Sequence, residues 1–291
     1  MGIELILERI VNRLQGTDGL QAIVLGGSRA TNTHRPDSDI DLGLYYEGET
    51  GVDIAGLSQA AMELDDQHRN DLMTGIGEWG PGVNGGGWLI IGGYHVDFLY
   101  RDLTAVRTAI EDCCEGKVQM LYQTGHPHAF LNSMYMGEVA ECRILWERED
   151  RLTQLKTRTH PYPPLLREGM QRHFLFEAGF SLMFMEANAD RDDVSYVSGH
   201  AFRGVSSLNQ VLYALNGRYC LNEKKAVRNI QSFAIRPERY KERVDLVYGK
   251  LGPDPKGIRE SIHELRSLID EVNELAKMPT GRNLDDRKIE N

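Results

Sequence analysis

Two aspartates placed one residue apart on a strand constrain this chain more than any other feature. They are Asp39 and Asp41, within QAIVLGGSRATNTHRPDSDIDLGLYY (residues 21–46). In DIDLGLYY (39–46), Ile40, Leu42 and Leu44 alternate with Asp39, Asp41 and Gly43. The run therefore reads as a strand with one apolar and one acidic face. Carboxylates sharing a face repel each other, so solvent, a basic partner or a metal must hold them there. Upstream, AIVLGG (22–27) reads as a short buried strand ending in a glycine turn, with a helix starting near Gly26-Gly27-Ser28.

A third carboxylate has similar surroundings. WLIIGGYHVDFLY (88–100) reads as a hairpin whose arms meet at Gly92-Gly93, a pair suited to a tight primed turn. On its second arm His95 and Asp97 share one face, while Val96 and Phe98 lie opposite. Asp102 stands where it can cap the helix LTAVRTAIEDCC. Backbone N–H groups at a glycine turn feeding a helix make an anion site. Carboxylates two apart on a strand point the same way and suit a hard cation such as Mg2+. A phosphate cradle facing such acids is what two-metal phosphoryl or nucleotidyl transfer requires.

LGGSRATNTHRPDSDIDLGL resembles the signature of the DNA polymerase beta-like nucleotidyltransferase superfamily. That signature is a hydrophobic strand, a Gly-[Gly/Ser] turn, Asp-x-Asp after a spacer and one later strand Asp, which Asp97 in YHVDFLYRD supplies. Gly-Ser-x-Ala followed by Ser-Asp-Ile-Asp is most similar to the small bacterial branch, which holds aminoglycoside, lincosamide and minimal nucleotidyltransferases. The likeness covers residues 22–46 and 94–102. It implies an α/β (α+β) nucleotidyltransferase domain with a small mixed sheet, followed by an all-α helical domain. It also implies that Gly27 and Ser28 hold a nucleoside triphosphate and that Asp39 and Asp41 bind Mg2+, two ions in all. Asp97 completes the metal site or activates the acceptor hydroxyl. By position and charge, Arg29 and Lys224 (beside Lys225) are candidates for phosphate contact, and Glu138 or Glu141 for an acceptor-side base. The implied reaction transfers a nucleoside monophosphate, AMP from ATP as first choice, to a hydroxyl of a small molecule such as an aminoglycoside or lincosamide. Pyrophosphate is released. The alternatives are transfer to protein or tRNA, as in the toxin–antitoxin branch, and a non-catalytic nucleotide-binding module.

Each candidate also has a plainer reading. Asp-x-Asp alone is an acidic strand face, Arg29 an exposed arginine at a helix start, and Lys224 a solvated helix face. Glu138 and Glu141 sit in MYMGEVAECRILWERED, which has helical spacing throughout, and GVNGGGW (82–88) reads as a flexible loop rather than a P-loop. The stripe HFLFEAGFSLMFME reads as helix core.

Strand signals stop near residue 115, and helical periodicity covers roughly 165–189, 201–216, 222–233, 236–249 and 257–277. The expected domains are a nucleotidyltransferase domain (1–115), a connecting segment (116–164), a helical domain (165–280) and a flexible tail (281–291). The net charge of −10 argues against a broad nucleic-acid surface. No run approaches the ~18–20 apolar residues of a membrane span. MGIELILERIVNRLQ reads as an amphipathic helix rather than a signal peptide. Four cysteines without a Cys-x-x-Cys pair suit reduced thiols in the cytoplasm. Oligomeric state is left open.

Overall fold

The computed structural model describes residues 2–278, so the tail expected over 281–291 lies outside the described residues. The chain divides into two compact units. One holds residues up to 112 together with 119–161, and the other holds 113–118 and the residues from 162 onward.

The first unit begins with α1 (Ile3–Leu14), whose apolar stripe buries Ile6, Leu7, Ile10 and Leu14. β1 (Leu20–Leu25) leads through the single turn α2 (Gly27–Ala30) to β2 (Ile40–Tyr46). Next come α3 (Ile54–Leu64), β3 (Gly86–Ile91), β4 (Tyr94–Asp102) and α4 (Leu103–Cys114). The two-residue strands β5 (Met120–Leu121) and β6 (Phe130–Leu131) pair with each other. α5 (Asn132–Glu141), β7 (Arg143–Glu147) and α6 (Arg151–Thr157) complete the unit.

The main sheet has five strands in the order β3-β4-β2-β1-β7. Only β2 and β4 run parallel; the other pairs are antiparallel. This is the small mixed sheet that the resemblance implied. One face buries Ile23, Leu25, Ile40, Leu42, Leu44, Val96 and Phe98 in a core shared with α1 and α3. The opposite face carries Asp41, Gly43 and Tyr45 on β2, and His95, Asp97, Leu99 and Arg101 on β4.

α5 is fastened to one end of this second face. Arg101 is 4% exposed, and its guanidinium makes a bidentate pair with Glu138 (Nε to Oε2 2.6 Å, Nη2 to Oε1 2.8 Å). Its Nη1 donates to the carbonyls of Val83 (3.0 Å) and Tyr100 (2.8 Å). Burial works against the Arg101 charge, but Glu138 outweighs it and raises the pKa of Arg101. The Tyr135 ring lies 5.8 Å from the guanidinium carbon. Glu138 is thus committed to Arg101, which argues against its expected place as a base.

Four expectations need correction. First, strand structure continues past residue 115, because β7 pairs with β1. The helix expected across 134–150 stops at Glu141, where the Lys156 ammonium takes the free carbonyls of Val139, Ala140 and Cys142 at 2.7–2.9 Å. RILWE then gains a ladder that no local pattern encodes. Second, α3 ends at Leu64 and does not run through AGLSQAAMELDDQHRND. The Asp65 carboxylate instead accepts from Ile90 N (2.8 Å) and Arg69, tying the chain to β3. Asp66 accepts from Gly92 N (2.9 Å) and Gly93 N (2.8 Å) in the hairpin turn. Third, the 82–88 loop is held in place. Gly82 N and Val83 N donate to Gln123 Oε1 (2.9 and 3.1 Å), and Asn84 Nδ2 donates to the Tyr46 hydroxyl (2.8 Å). Fourth, α8 of the second unit starts earlier than expected, because Asp193 caps it by accepting from Tyr196 N (3.1 Å).

The second unit consists mainly of the helices α7 (Pro164–Ala187), α8 (Val194–Leu215), α9 (Ala226–Ile230), α10 (Tyr240–Gly249) and α11 (Pro255–Ala276). α7 buries Leu166, Met170, Phe174, Ala178, Leu182 and Met185 at helical spacing. Its Phe176, Phe180 and Met183 are exposed, so only part of the aromatic stripe is core. No helix among the described residues is long and apolar enough to cross a membrane.

Removing the Glu138 carboxylate strands a buried guanidinium. Glu138→Ala should therefore cost about 3 kcal/mol of unfolding free energy in urea. This is the low end for a broken buried pair, because the Glu138 side chain keeps 29% exposure. A loss within experimental error would show that Arg101 does not fasten α5.

Candidate active site

The site forms where the glycine turn after β1 meets β2 and β4. Gly26 N donates to the Asp41 carbonyl at 2.8 Å, which extends the β1–β2 ladder to the start of the turn. Gly27 follows with φ +60°, and its Cα packs so closely on Asp41 that an added Cβ would lie 1.8 Å from Asp41 Oδ2. No other residue fits there, since any Cβ would strike the carboxylate and the left-handed backbone adds strain. The turn N–H groups and the Asp41 carboxylate therefore share one small space. Ser28 follows on α2, half-buried.

The parallel pairing sets Asp41 directly opposite Asp97. Register partners on neighbouring strands share a face at a spacing of about 4.8 Å. Burial, reinforced by the charges of Asp41 and Asp39, pushes the Asp97 carboxyl up to about 6, and His95 pulls it part of the way back. Asp39, expected within the strand, is exposed just ahead of β2.

Arg29 has a different place from the one expected. It is 6% exposed, and its guanidinium points into the 36–39 segment rather than to solvent. Its Nε donates to the carbonyls of Asp39 (3.0 Å) and Ser38 (3.1 Å), and Nη2 donates to those of Ser38 and Pro36. Its guanidinium carbon also lies 5.5 Å from the Tyr94 ring centroid. Arg29 thus holds the backbone that presents Asp39, and these donors are not turned to a phosphate. Lys224 lies in the second unit, exposed in the loop ahead of α9, with its backbone N bonded to Asn222 Oδ1 at 2.7 Å. The structure therefore gathers Gly27, Ser28, Asp39, Asp41 and Asp97 in one unit, with Arg29 behind them.

Three carboxylates and no sulfur make an oxygen donor set suited to a hard divalent cation. The Asp97 carboxyl is raised by burial first and by the charges of Asp41 and Asp39 second, and a divalent cation there would favour its ionised form. Among the described residues, no three His, Cys, Asp or Glu groups already form a metal-holding cluster.

Residues 6–78 match the family model of the nucleotidyltransferase domain. The chain carries a nucleotidyltransferase domain. The matched stretch, of the DNA polymerase beta-like kind, holds the glycine turn, Asp39 and Asp41 and supports nucleotidyl transfer in general. Among solved structures, a nucleotidyltransferase-like protein from Exiguobacterium sibiricum 255-15 is similar at a TM-score of 0.46 with 12% sequence identity. The match covers 94% of this chain and 78% of that one. No curated protein matches.

Beside Asp97 stands a residue that the sequence reading passed over. Trp88 on β3 is the register partner of Asp97, so its indole shares the carboxylates' face. It is 63% exposed and stacks on Trp79, with ring centroids 4.6 Å apart and planes 21° from parallel. Counting back through the two-residue turn at Gly92-Gly93 pairs Trp88 with Asp97, so the signal was present in the hairpin.

The raised Asp97 carboxyl has a consequence for stability. Between the ordinary value of 3.8 and about 6, the folded protein holds this proton more tightly than the unfolded chain does. Metal-free protein should lose stability as pH rises through that window, and the deficit should persist above it. Denaturant unfolding at pH 4 and pH 7 should show this slope, with Asp97→Asn flattening it. A slope unchanged in Asp97→Asn would sink the assignment. In the turn, Gly27→Ala should cost about 1–2 kcal/mol from the left-handed backbone alone. Denaturation matching the parent protein would show that the Asp41 carboxylate does not pack there.

Proposed function

We propose that this protein is a Mg2+-dependent enzyme that transfers a nucleoside monophosphate, AMP from ATP as first choice, to a hydroxyl of a small-molecule acceptor. An aminoglycoside- or lincosamide-like compound is the favoured acceptor class. The observation that carries this reading is the register of Asp41 with Asp97, with the Gly27 turn packed on the Asp41 carboxylate.

In this mechanism Asp39 and Asp41 hold the cation, and Arg29 keeps Asp39 in place through its main-chain carbonyl. The backbone N–H groups at Gly27 and Ser28 orient the β- and γ-phosphates. Mg2+ held by Asp39 and Asp41 would neutralise the triphosphate and lower the pKa of the attacking hydroxyl. Asp97, whose carboxyl lies near 6, is ionised at neutral pH and accepts the hydroxyl proton. A bond forms from the acceptor oxygen to the α-phosphorus. The bond to the bridging oxygen breaks in line with it, and pyrophosphate leaves at the Gly27-Ser28 end. Reduced cysteines and an ATP substrate suit the cytoplasm.

Neutralising Asp39 or Asp41 removes a charge used mainly in the transition state. Asp39→Asn and Asp41→Asn should each lower pyrophosphate release about a thousandfold, equivalent to about 4 kcal/mol, with little change in thermal unfolding. The assay is mass spectrometry and pyrophosphate detection with the four NTPs, Mg2+, pooled aminoglycosides, pooled lincosamides and a cell lysate. Undiminished turnover by Asp39→Asn would overturn the mechanism. An adduct on a protein or RNA would change the acceptor class. Nucleotide binding without pyrophosphate release would favour a binding module.

A further inference from the structure

We propose that the outer face of α7 is a self-docking surface. Through it the helical unit pairs with a second copy of this chain, about a two-fold axis between Gly179 and Phe180. The pairing concerns the helical unit alone and goes beyond nucleotidyl transfer.

Three sides of α7 are accounted for within the chain. The inner side buries Leu166, Met170, Phe174, Ala178, Leu182 and Met185. On one flank Glu177 pairs with Arg203 of α8, and on the other Glu186 pairs with Arg266 of α11. The remaining side carries Arg172, Phe176, Gly179, Phe180 and Met183, all exposed. Phe176 is 71% exposed, Phe180 47% and Met183 48%. This apolar surface is continuous. Phe176 stacks on Phe180 with ring centroids 5.6 Å apart, and Phe180 meets Phe184 edge-on at 4.8 Å. Phe184 carries the surface on to Tyr196 and His200 of α8, with centroids 6.3 and 5.1 Å away. Single exposed apolar residues are ordinary, whereas a contiguous patch marks a contact site.

Gly179 points the same way on separate grounds. A glycine well inside a helix costs stability relative to alanine. Nothing within the chain asks for one here, since an added Cβ would meet nothing within 4 Å. Gly199, exposed in α8 beside His200, is equally open. An open notch next to a protruding ring suits a second helix at close range, with the ring of each filling the notch of the other.

The spacing of the face selects a second copy as the occupant. An isologous contact requires one patch to fit itself after a two-fold rotation. The exposed positions of α7 fall symmetrically about Gly179 and Phe180. In an antiparallel pair Phe180 comes over Gly179 of the second copy, Phe176 opposite its Met183, and Arg172 opposite its Ala187. The charges obey the same symmetry. Arg172 reaches the turn of the second helix that bears Glu186, and the exposed Glu168 faces the exposed Arg191 just beyond the end of that helix. Each match occurs twice in the dimer. A dissimilar partner imposes no such symmetry on the face it meets.

Sedimentation velocity of the full chain, run from low to high micromolar concentration, should show a monomer–dimer equilibrium. Phe176→Asp and Gly179→Leu should each weaken the dimer about tenfold, with circular dichroism showing the helices intact. Leucine is a better helix former than glycine, so lost association in Gly179→Leu reports the filled notch and not a damaged fold. Glu168→Arg should weaken the dimer about threefold, and adding Arg191→Glu should restore it. Three results would overturn the proposal. They are a parent protein that stays monomeric, a dimer indifferent to both Phe176→Asp and Gly179→Leu, and a charge swap that does not restore association.

Discussion

The site depends on one strand pairing. β2 and β4 run parallel in a sheet whose other neighbours are antiparallel, and that pairing sets Asp41 against Asp97. The arrangement is electrostatically unfavourable by itself, since burial and two neighbouring carboxylates push the Asp97 carboxyl up to about 6. It persists because the opposite side of the same strands buries Ile40, Leu42, Leu44, Val96 and Phe98 against α1 and α3. A one-residue slip of either strand would send those apolar side chains to the acidic face. Hydrophobic burial on one face therefore holds like charges together on the other.

The two ends of the acidic face are treated differently. At one end Arg101 and Glu138 neutralise each other, and Tyr135 closes over them, so that α5 becomes part of the core. At the other end Arg29 supports the backbone that presents Asp39. The chain thus pairs a buried charge where it forms a fixed wall and sets Asp41 beside Asp97 at the other end. A nucleotidyltransferase domain requires such an asymmetry, because its substrate is a polyanion and its own groups are acids.

The glycine turn shows how closely the anion side and the cation side are joined. Gly27 packs on the Asp41 carboxylate with no room for a Cβ. The turn N–H groups and the Asp41 carboxylate, proposed above as phosphate donors and cation ligand, therefore stand within one residue's width. Such proximity is pre-organised by the fold, and little reorganisation is left for the moment of reaction.

The sequence by itself determined the element types around the site and the identity of its acids. Alternation in DIDLGLYY, the Gly-Gly-Ser turn, the Gly92-Gly93 hairpin and the Asp102 cap were all local patterns, and Asp102 does cap α4, accepting from Thr104 N at 2.8 Å. Trp88 was legible too, by register arithmetic through the two-residue turn. Only the tertiary structure decided the rest. The strand β7 takes its form from an edge that β1 offers, and α3 stops where Asp65 finds Ile90 N. Arg29 is turned inward by carbonyls seven to ten residues away, and Glu138 by a guanidinium 37 residues away. Local periodicity reports which face of an element is apolar. It carries no information about which distant partner will satisfy a buried charge or an open strand edge, and those partners set the roles of Arg29, Glu138 and β7.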